Sequence, residues 1–142
     1  MDIKEVRLIL GDQLYEGHSW FEKVSPAVLY LMMEVRSETD YVSHHIQKVI
    51  AFFAAMRAFA ANLSAKGHRI LYLGLDDPSN QQSFGKNLKW VLEENSKATW
   101  AYQAPDEYRL DQLFLKLSDQ LGVPSRRVDT EHFLCEREEV KD

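Results

Sequence analysis

Short apolar runs alternate with amphipathic stretches along most of this chain. Val6-Arg7-Leu8-Ile9-Leu10 has the length of a buried strand and stops abruptly at Gly11-Asp12, a turn signal. A polar stretch with Gly17, His18 and Ser19 follows, then Trp20-Phe21 and a second strand-length run, Val28 to Met33. The link of about 17 residues between the two runs is long enough for a crossover containing a short helix. Val42, Ile46, Val49, Phe53, Met56, Ala60 and Leu63 then recur at steps of four and three, which lines one face of a helix at about 40–66. Ser37, Thr39 and Asp40 offer N-cap oxygens, and Gly67 stands where a left-handed C-cap belongs. Ala51, Ala54, Ala55, Ala58 and Ala61 raise helix propensity, and their small side chains would let the helix lie close to a sheet.

Beyond Gly67 the alternation becomes strict. Arg69 to Leu73 is a third strand, and Phe84, Leu88, Val91 and Leu92 mark a helix ending near Asn95. Thr99 to Tyr102 is a fourth strand, and Leu110, Leu113, Phe114, Leu117 and Leu121 mark a helix stopped by Gly122 and Pro124. Arg127-Val128-Asp129 fits a short fifth strand. This order predicts an α/β domain with a mainly parallel five-stranded sheet and helices on its faces. Residues 1–134 would form that domain, and the charged residues 135–142 a solvated tail or the start of a linker.

Composition narrows the functional classes. A length of 142 residues suits one domain, and a hydrophobic fraction of 45% supplies a core. No apolar run approaches a membrane span, and the charged N-terminus is not a signal peptide, so a cytoplasmic address is expected. Cys135 is the single cysteine, which leaves no internal disulfide and no multi-cysteine metal site. A net charge of −5, with Arg126-Arg127 as the longest basic run, argues against nucleic-acid binding by this domain alone.

In an open parallel sheet, ligands bind beyond the carboxyl ends of the strands, where strand order reverses. Three segments fall at such ends: Gly11 to Leu14, Glu34 to Glu38, and Gly74 to Pro78. Gly11-Asp12-Gln13 admits two readings. Glycine permits close approach of a ligand whose polar edge Asp12 and Gln13 would bond, or it is a turn glycine beside a capping Asp, the commoner use. Glu34 follows an apolar strand directly and is placed to line a cleft, whereas Asp40 is explained by the helix dipole. Asp76-Asp77-Pro78 could hold a metal but is more often a turn. His44 and His45 point about 100° apart on a helix and cannot easily share an ion. Met32, Met33 and Met56 fit core filling better than a cofactor box. No GxGxxG, no phosphate-binding loop and no Ser-His-Asp arrangement is present, so no catalytic residue and no metal ligand is assigned.

Several stretches together resemble the photolyase-related flavoproteins, the group containing bacterial (6-4) photolyases and cryptochromes with an iron–sulfur cluster. They are Leu8 to Leu14, Glu34 to His45, Lys48 to Phe59, Asp76-Asp77-Pro78, Ser83-Phe84, Pro105 to Leu110, and Asp129 to Leu134. The resemblance implies a Rossmann-like, three-layer N-terminal domain that holds an antenna chromophore, 6,7-dimethyl-8-ribityllumazine in characterised members. Its cleft would involve Gly11, Asp12, Gln13, Glu34, Glu38, Tyr41 and Phe52. Asp12, Gln13, Glu34 and Glu38 would orient the polar ring edge and the ribityl hydroxyls, while Tyr41 and Phe52 would pack on the ring face. FAD, the iron–sulfur cluster and damaged DNA belong to a larger helical C-terminal domain. That domain is not within these 142 residues, and Cys135 alone cannot supply a cluster's four thiolates. This stretch alone is therefore not expected to be catalytic. The alternatives are a stand-alone module binding a nucleotide or flavin-like molecule, and a protein-interaction module, for instance a homodimer.

Overall fold

The computed structural model describes residues 3–11, 13–35, 46–105 and 108–128, with the side chains of residues 46–49 and 108 left aside. Among these the chain forms strands β1 (Glu5–Leu8), β2 (Val28–Met33), β3 (Arg69–Leu73), β4 (Thr99–Gln103) and β5 (Ser125–Val128). The helices are α1 (Ile46–Ala65), α2 (Phe84–Glu94) and α3 (Tyr108–Leu121). A 3-10 turn, Ser19–Phe21, lies in the β1–β2 crossover. The sheet has five strands in the order β3-β2-β1-β4-β5, every pair parallel. This is the parallel α/β sheet that the alternation predicts and the Rossmann-like domain that the resemblance implies.

Side-chain alternation splits the core between the two faces of the sheet. On one face Leu8, Leu31, Trp100 and Tyr102 meet Phe84, Leu88 and Val91 of α2 and Phe114 and Leu117 of α3. On the other face Ile9, Tyr30, Met32 and Ala101 meet Phe53, Met56, Phe59 and Leu63 of α1, together with Trp20 and Phe21 of the 3-10 turn. Met32, Met33 and Met56 are thus core residues. Arg7 holds the 3-10 turn to the sheet, donating from Nη1 to the Trp20 carbonyl at 3.3 Å and to the Tyr30 hydroxyl at 2.9 Å.

The ends of the elements follow local chemistry. Gly67 ends α1 with φ of 101°, and Gly122 ends α3 with φ of 65°, backbone values that glycine adopts without a Cβ penalty. Ser83 caps α2 by accepting from the Lys86 N–H. One expectation is overturned. Ala51, Ala54, Ala55, Ala58 and Ala61 face solvent rather than the sheet. The stabilisation from burial scales with apolar area, so the phenylalanines, Met56 and Leu63 take the sheet-facing side. The alanines keep only their contribution to helix propensity. The proposed caps Ser37, Thr39 and Asp40 lie outside the described residues, as do the 135–142 tail and the histidine pair His44-His45.

Candidate functional site at the carboxyl edge of the sheet

The strand order fixes where a ligand crevice belongs. From β1 the chain moves outward to β2 and β3, then returns to place β4 on the other side of β1. The reversal therefore lies between the carboxyl ends of β1 and β4, where the two following segments leave in opposite directions. Gly11 and Gln13 follow β1, and Gln103 closes β4. Glu34 and Gly74 end β2 and β3, farther along the same edge.

Gln13 joins the two sides of the switch point. Its Oε1 accepts from the Leu10 N–H at 3.1 Å, and its Nε2 donates to the carbonyls of Gln103 at 3.1 Å and Ala104 at 3.4 Å. The side chain is buried and its amide is spent on backbone, so Gln13 ties the carboxyl ends of β1 and β4 together.

Gly11 has a different role. A Cβ built there would stand 2.3 Å from Phe52 Cζ and 3.0 Å from Met56 Sδ. Real Cβ atoms do not approach so closely, so the absence of a side chain lets the Phe52 ring lie over the end of β1. Gly11 and Phe52, two of the residues expected in the cleft, are brought into contact.

Glu34 is fully buried and saturated. Arg57 donates from Nε to Oε2 at 2.7 Å and from Nη2 to Oε1 at 2.9 Å. The Tyr72 hydroxyl donates to Oε2 at 2.5 Å, and the Leu75 N–H to Oε1 at 2.8 Å. Burial by itself would raise the Glu34 pKa, but Arg57, Tyr72 and the Leu75 N–H outweigh it and hold the carboxyl below its ordinary value. Tyr72 is pushed the other way, by burial first and by the Glu34 carboxylate second. Glu34 is thus an anion that ties α1 and β3 to the end of β2, and it is unsuited to act as a general acid near neutral pH. Asn80 extends the lattice, donating from Nδ2 to the carbonyls of Glu34 at 2.9 Å and Gly74 at 2.9 Å. Asp77 accepts from the Ser79 N–H at 2.8 Å, the local bond of an Asx turn.

Sequence reasoning missed Gln103. Its register places it in a row on the α1 face. Leu8 pairs with Tyr102 and with Leu31, so the next residues, Ile9, Gln103 and Met32, lie side by side, flanked by Tyr72 and Val128. Gln103 is 0% exposed, and neither its Oε1 nor its Nε2 has a hydrogen-bond partner. A glutamine closing the apolar run Thr99 to Tyr102 was the available signal. Arg57 and Tyr72, the partners of Glu34, were also missed, since each lies far from it in sequence. Of the remaining expected residues, Asp12, Glu38 and Tyr41 lie outside the described residues.

A concavity of about 810 Å³ runs between α2 and α3 on the opposite face of the sheet. Its floor is Phe84, Leu92 and Leu117, and its polar members, such as Lys86, Lys89, Glu93 and Gln120, stand exposed in solvent. Such a groove follows from packing two helices side by side and lacks the buried, convergent polar groups of a ligand site. Among the described residues no group of three or more His, Cys, Asp or Glu could hold a metal ion. Among them, too, no helix is long and apolar enough to cross a membrane.

A family model described as deoxyribodipyrimidine photo-lyase-related protein matches residues 7–142. A (6-4) photolyase of Agrobacterium fabrum is 32% identical over 109 residues, covering 76% of this chain and 22% of that relative. The match thus spans about a fifth of the relative's length.

Proposed function

This chain belongs to the deoxyribodipyrimidine photo-lyase-related protein family, and from that premise we propose that it is the antenna domain of a photolyase-type flavoprotein. It would hold a planar chromophore, 6,7-dimethyl-8-ribityllumazine or a close relative, at the β1–β4 switch point. When bound, such a chromophore absorbs light and passes the excitation to a flavin, which in this reading is carried by a helical region beyond these residues. Light-driven repair of DNA lesions would be the work of the whole protein.

The observation that carries the reading is the pairing of Gly11 with Phe52 over the end of β1. Space for a ring is made by the missing Cβ, and an aromatic side chain already occupies it. Phe52 is only partly buried, so its ring can swing aside and stack on a planar ligand. Gln13 fixes the crevice wall, and the Glu34–Arg57–Tyr72 lattice keeps the neighbouring strand ends from fraying. Glu34 enters as a support for the site rather than as a direct ligand contact, because its oxygens are filled. Asp12, Glu38 and Tyr41 are retained as contacts to the polar edge, ribityl chain and ring face.

Titration of the chain with 6,7-dimethyl-8-ribityllumazine, followed by fluorescence anisotropy, tests this reading. Saturable binding is expected. Gly11→Val, which fills the space over β1, should weaken it about tenfold or more while circular dichroism shows the fold retained. Absence of binding at roughly millimolar ligand, or equal affinity in Gly11→Val, would overturn the assignment of this crevice.

A further inference from the structure

We propose that Gln103 reads the amide edge of the ligand in the switch-point crevice, and that this edge is a cyclic lactam or imide, an N–H beside a C=O on a planar heterocycle. The inference rests on the antenna-domain reading for the location of the ligand, but its chemistry comes from Gln103 itself.

A carboxamide offers two N–H donors and an acceptor oxygen in one plane. Burying it without partners is costly, and such an unsatisfied group in a folded protein demands a reason. Among the described residues, the other buried side-chain polar atoms without partners are the indole N–H groups of Trp20 and Trp100 and the ring nitrogens of His68. Those sit within aromatic clusters: Trp100 stacks on Tyr102 with centroids 5.2 Å apart, and His68 lies edge-on to Tyr30 at 5.5 Å. Their ring contacts supply a packing reason for burying them. Gln103 has no such compensation. Its neighbours in the row, Ile9 and Val128, are apolar, and leucine at its position would fill similar space without an unpaired amide.

Its backbone, by contrast, is used. The Gln103 carbonyl accepts from Gln13 Nε2, which pins the end of β4 to the end of β1. The free carboxamide is therefore held on a fixed strand end at the switch point. Two residues past its neighbour Ile9, on the same face, comes Gly11 with the Phe52 ring above it. A flat ring replacing Phe52 in that space would bring an edge toward Gln103. The edge complementary to a carboxamide presents N–H to Oε1 and C=O to Nε2, a paired arrangement found in lactams and imides. Carboxylate or phosphate ligands would leave Oε1 unpaired, so the geometry selects against them.

The test uses the ¹⁵N-labelled chain with three probes: 6,7-dimethyl-8-ribityllumazine, its N3-methyl derivative, and unsubstituted lumazine. The Gln103 side-chain NH₂ signals should shift on adding either unmethylated compound. N3-methylation, which removes the N–H but needs no protein variant, should weaken binding at least about tenfold. Gln103→Leu should bind the methylated and unmethylated compounds equally and melt no lower than wild type. If the ribityl compound binds with the Gln103 signals unmoved and methylation without effect, the inference fails while the antenna reading stands. If only unsubstituted lumazine binds and shifts Gln103, the ribityl chromophore is wrong and the edge recognition stands. Unmoved Gln103 signals with every probe would overturn it. So would a clear fall in the melting temperature of Gln103→Leu, which would mean that a buried water satisfies the amide in a purely structural role.

Discussion

Replacing Glu34 by glutamine tests how the carboxyl edge of the sheet is held together. Glutamine preserves the volume and one acceptor oxygen, but it turns an NH₂ toward donors that now have nothing to bond. The wild-type carboxylate receives two bonds from Arg57, one from Tyr72 and one from the Leu75 N–H. A hydrogen bond to a charged group contributes roughly 1.5–3 kcal/mol. The Arg57 bonds must be discounted, because that side chain is 61% exposed and water competes for it. The Tyr72 and Leu75 donors are more sheltered. Glu34→Gln should therefore cost about 2–3 kcal/mol, and Arg57→Met, which leaves Tyr72 and Leu75 on the carboxylate, about 1 kcal/mol. Urea unfolding with an unchanged slope reads both values directly. A loss under about 0.5 kcal/mol for Glu34→Gln would show that these bonds are no better than those to water. Equal losses in the two variants would show that the exposed ion pair, and not the buried lattice, holds the edge.

The same pair of proteins carries a pH signature. The folded-state pKa of Glu34 lies below its ordinary value of 4.5. In the window between the two values the unfolded chain binds the proton and the folded chain does not, so stability falls as pH falls. The difference between wild type and Glu34→Gln should be constant from neutral pH down to about 5 and shrink as the pH drops through 4.5 and below.

His68 predicts a separate acid sensitivity at higher pH. Burial, and then the charges of Lys66 and Arg7, push its pKa below 6.5, so stability should decline as pH drops below that value. A His68→Phe variant should lose that part of the slope, and an identical slope in chemical denaturation would exclude His68 as the cause. Gln13→Leu leaves the Leu10 N–H without its acceptor and frees the Gln103 and Ala104 carbonyls. It should cost about 2 kcal/mol and speed hydrogen exchange at the Leu10 amide. Unchanged exchange there would mean that Gln13 does not clamp the switch point.

The residues that specify this fold act locally, which is why so much of it could be read from sequence. The four-and-three spacing of Phe53, Met56, Ala60 and Leu63 finds the buried face of α1, and Gly67 finds its end. The alternation of short apolar runs with amphipathic segments predicts a parallel sheet covered on both faces, as observed. Gly11, Gln13 and Glu34 are legible as strand-end residues because turn chemistry and position suffice to pick them out. Their roles are another matter. Whether Glu34 faces a ligand or an arginine depends on Arg57 and Tyr72, which reach it from α1 and β3. The alanines of α1 showed the same limit: propensity is a property of each residue, but the side facing the sheet goes to whichever face buries more apolar area. Strand order lies further still from the sequence. Nothing local to β4 says that it returns to the free edge of β1 rather than extending beyond β3, because that choice rests on long-range packing of both helical layers. Only that return puts Gln103 beside Ile9 and Gln13 across from its carbonyl, and so turns an ordinary glutamine at the end of a strand into a buried, unpaired amide at the switch point.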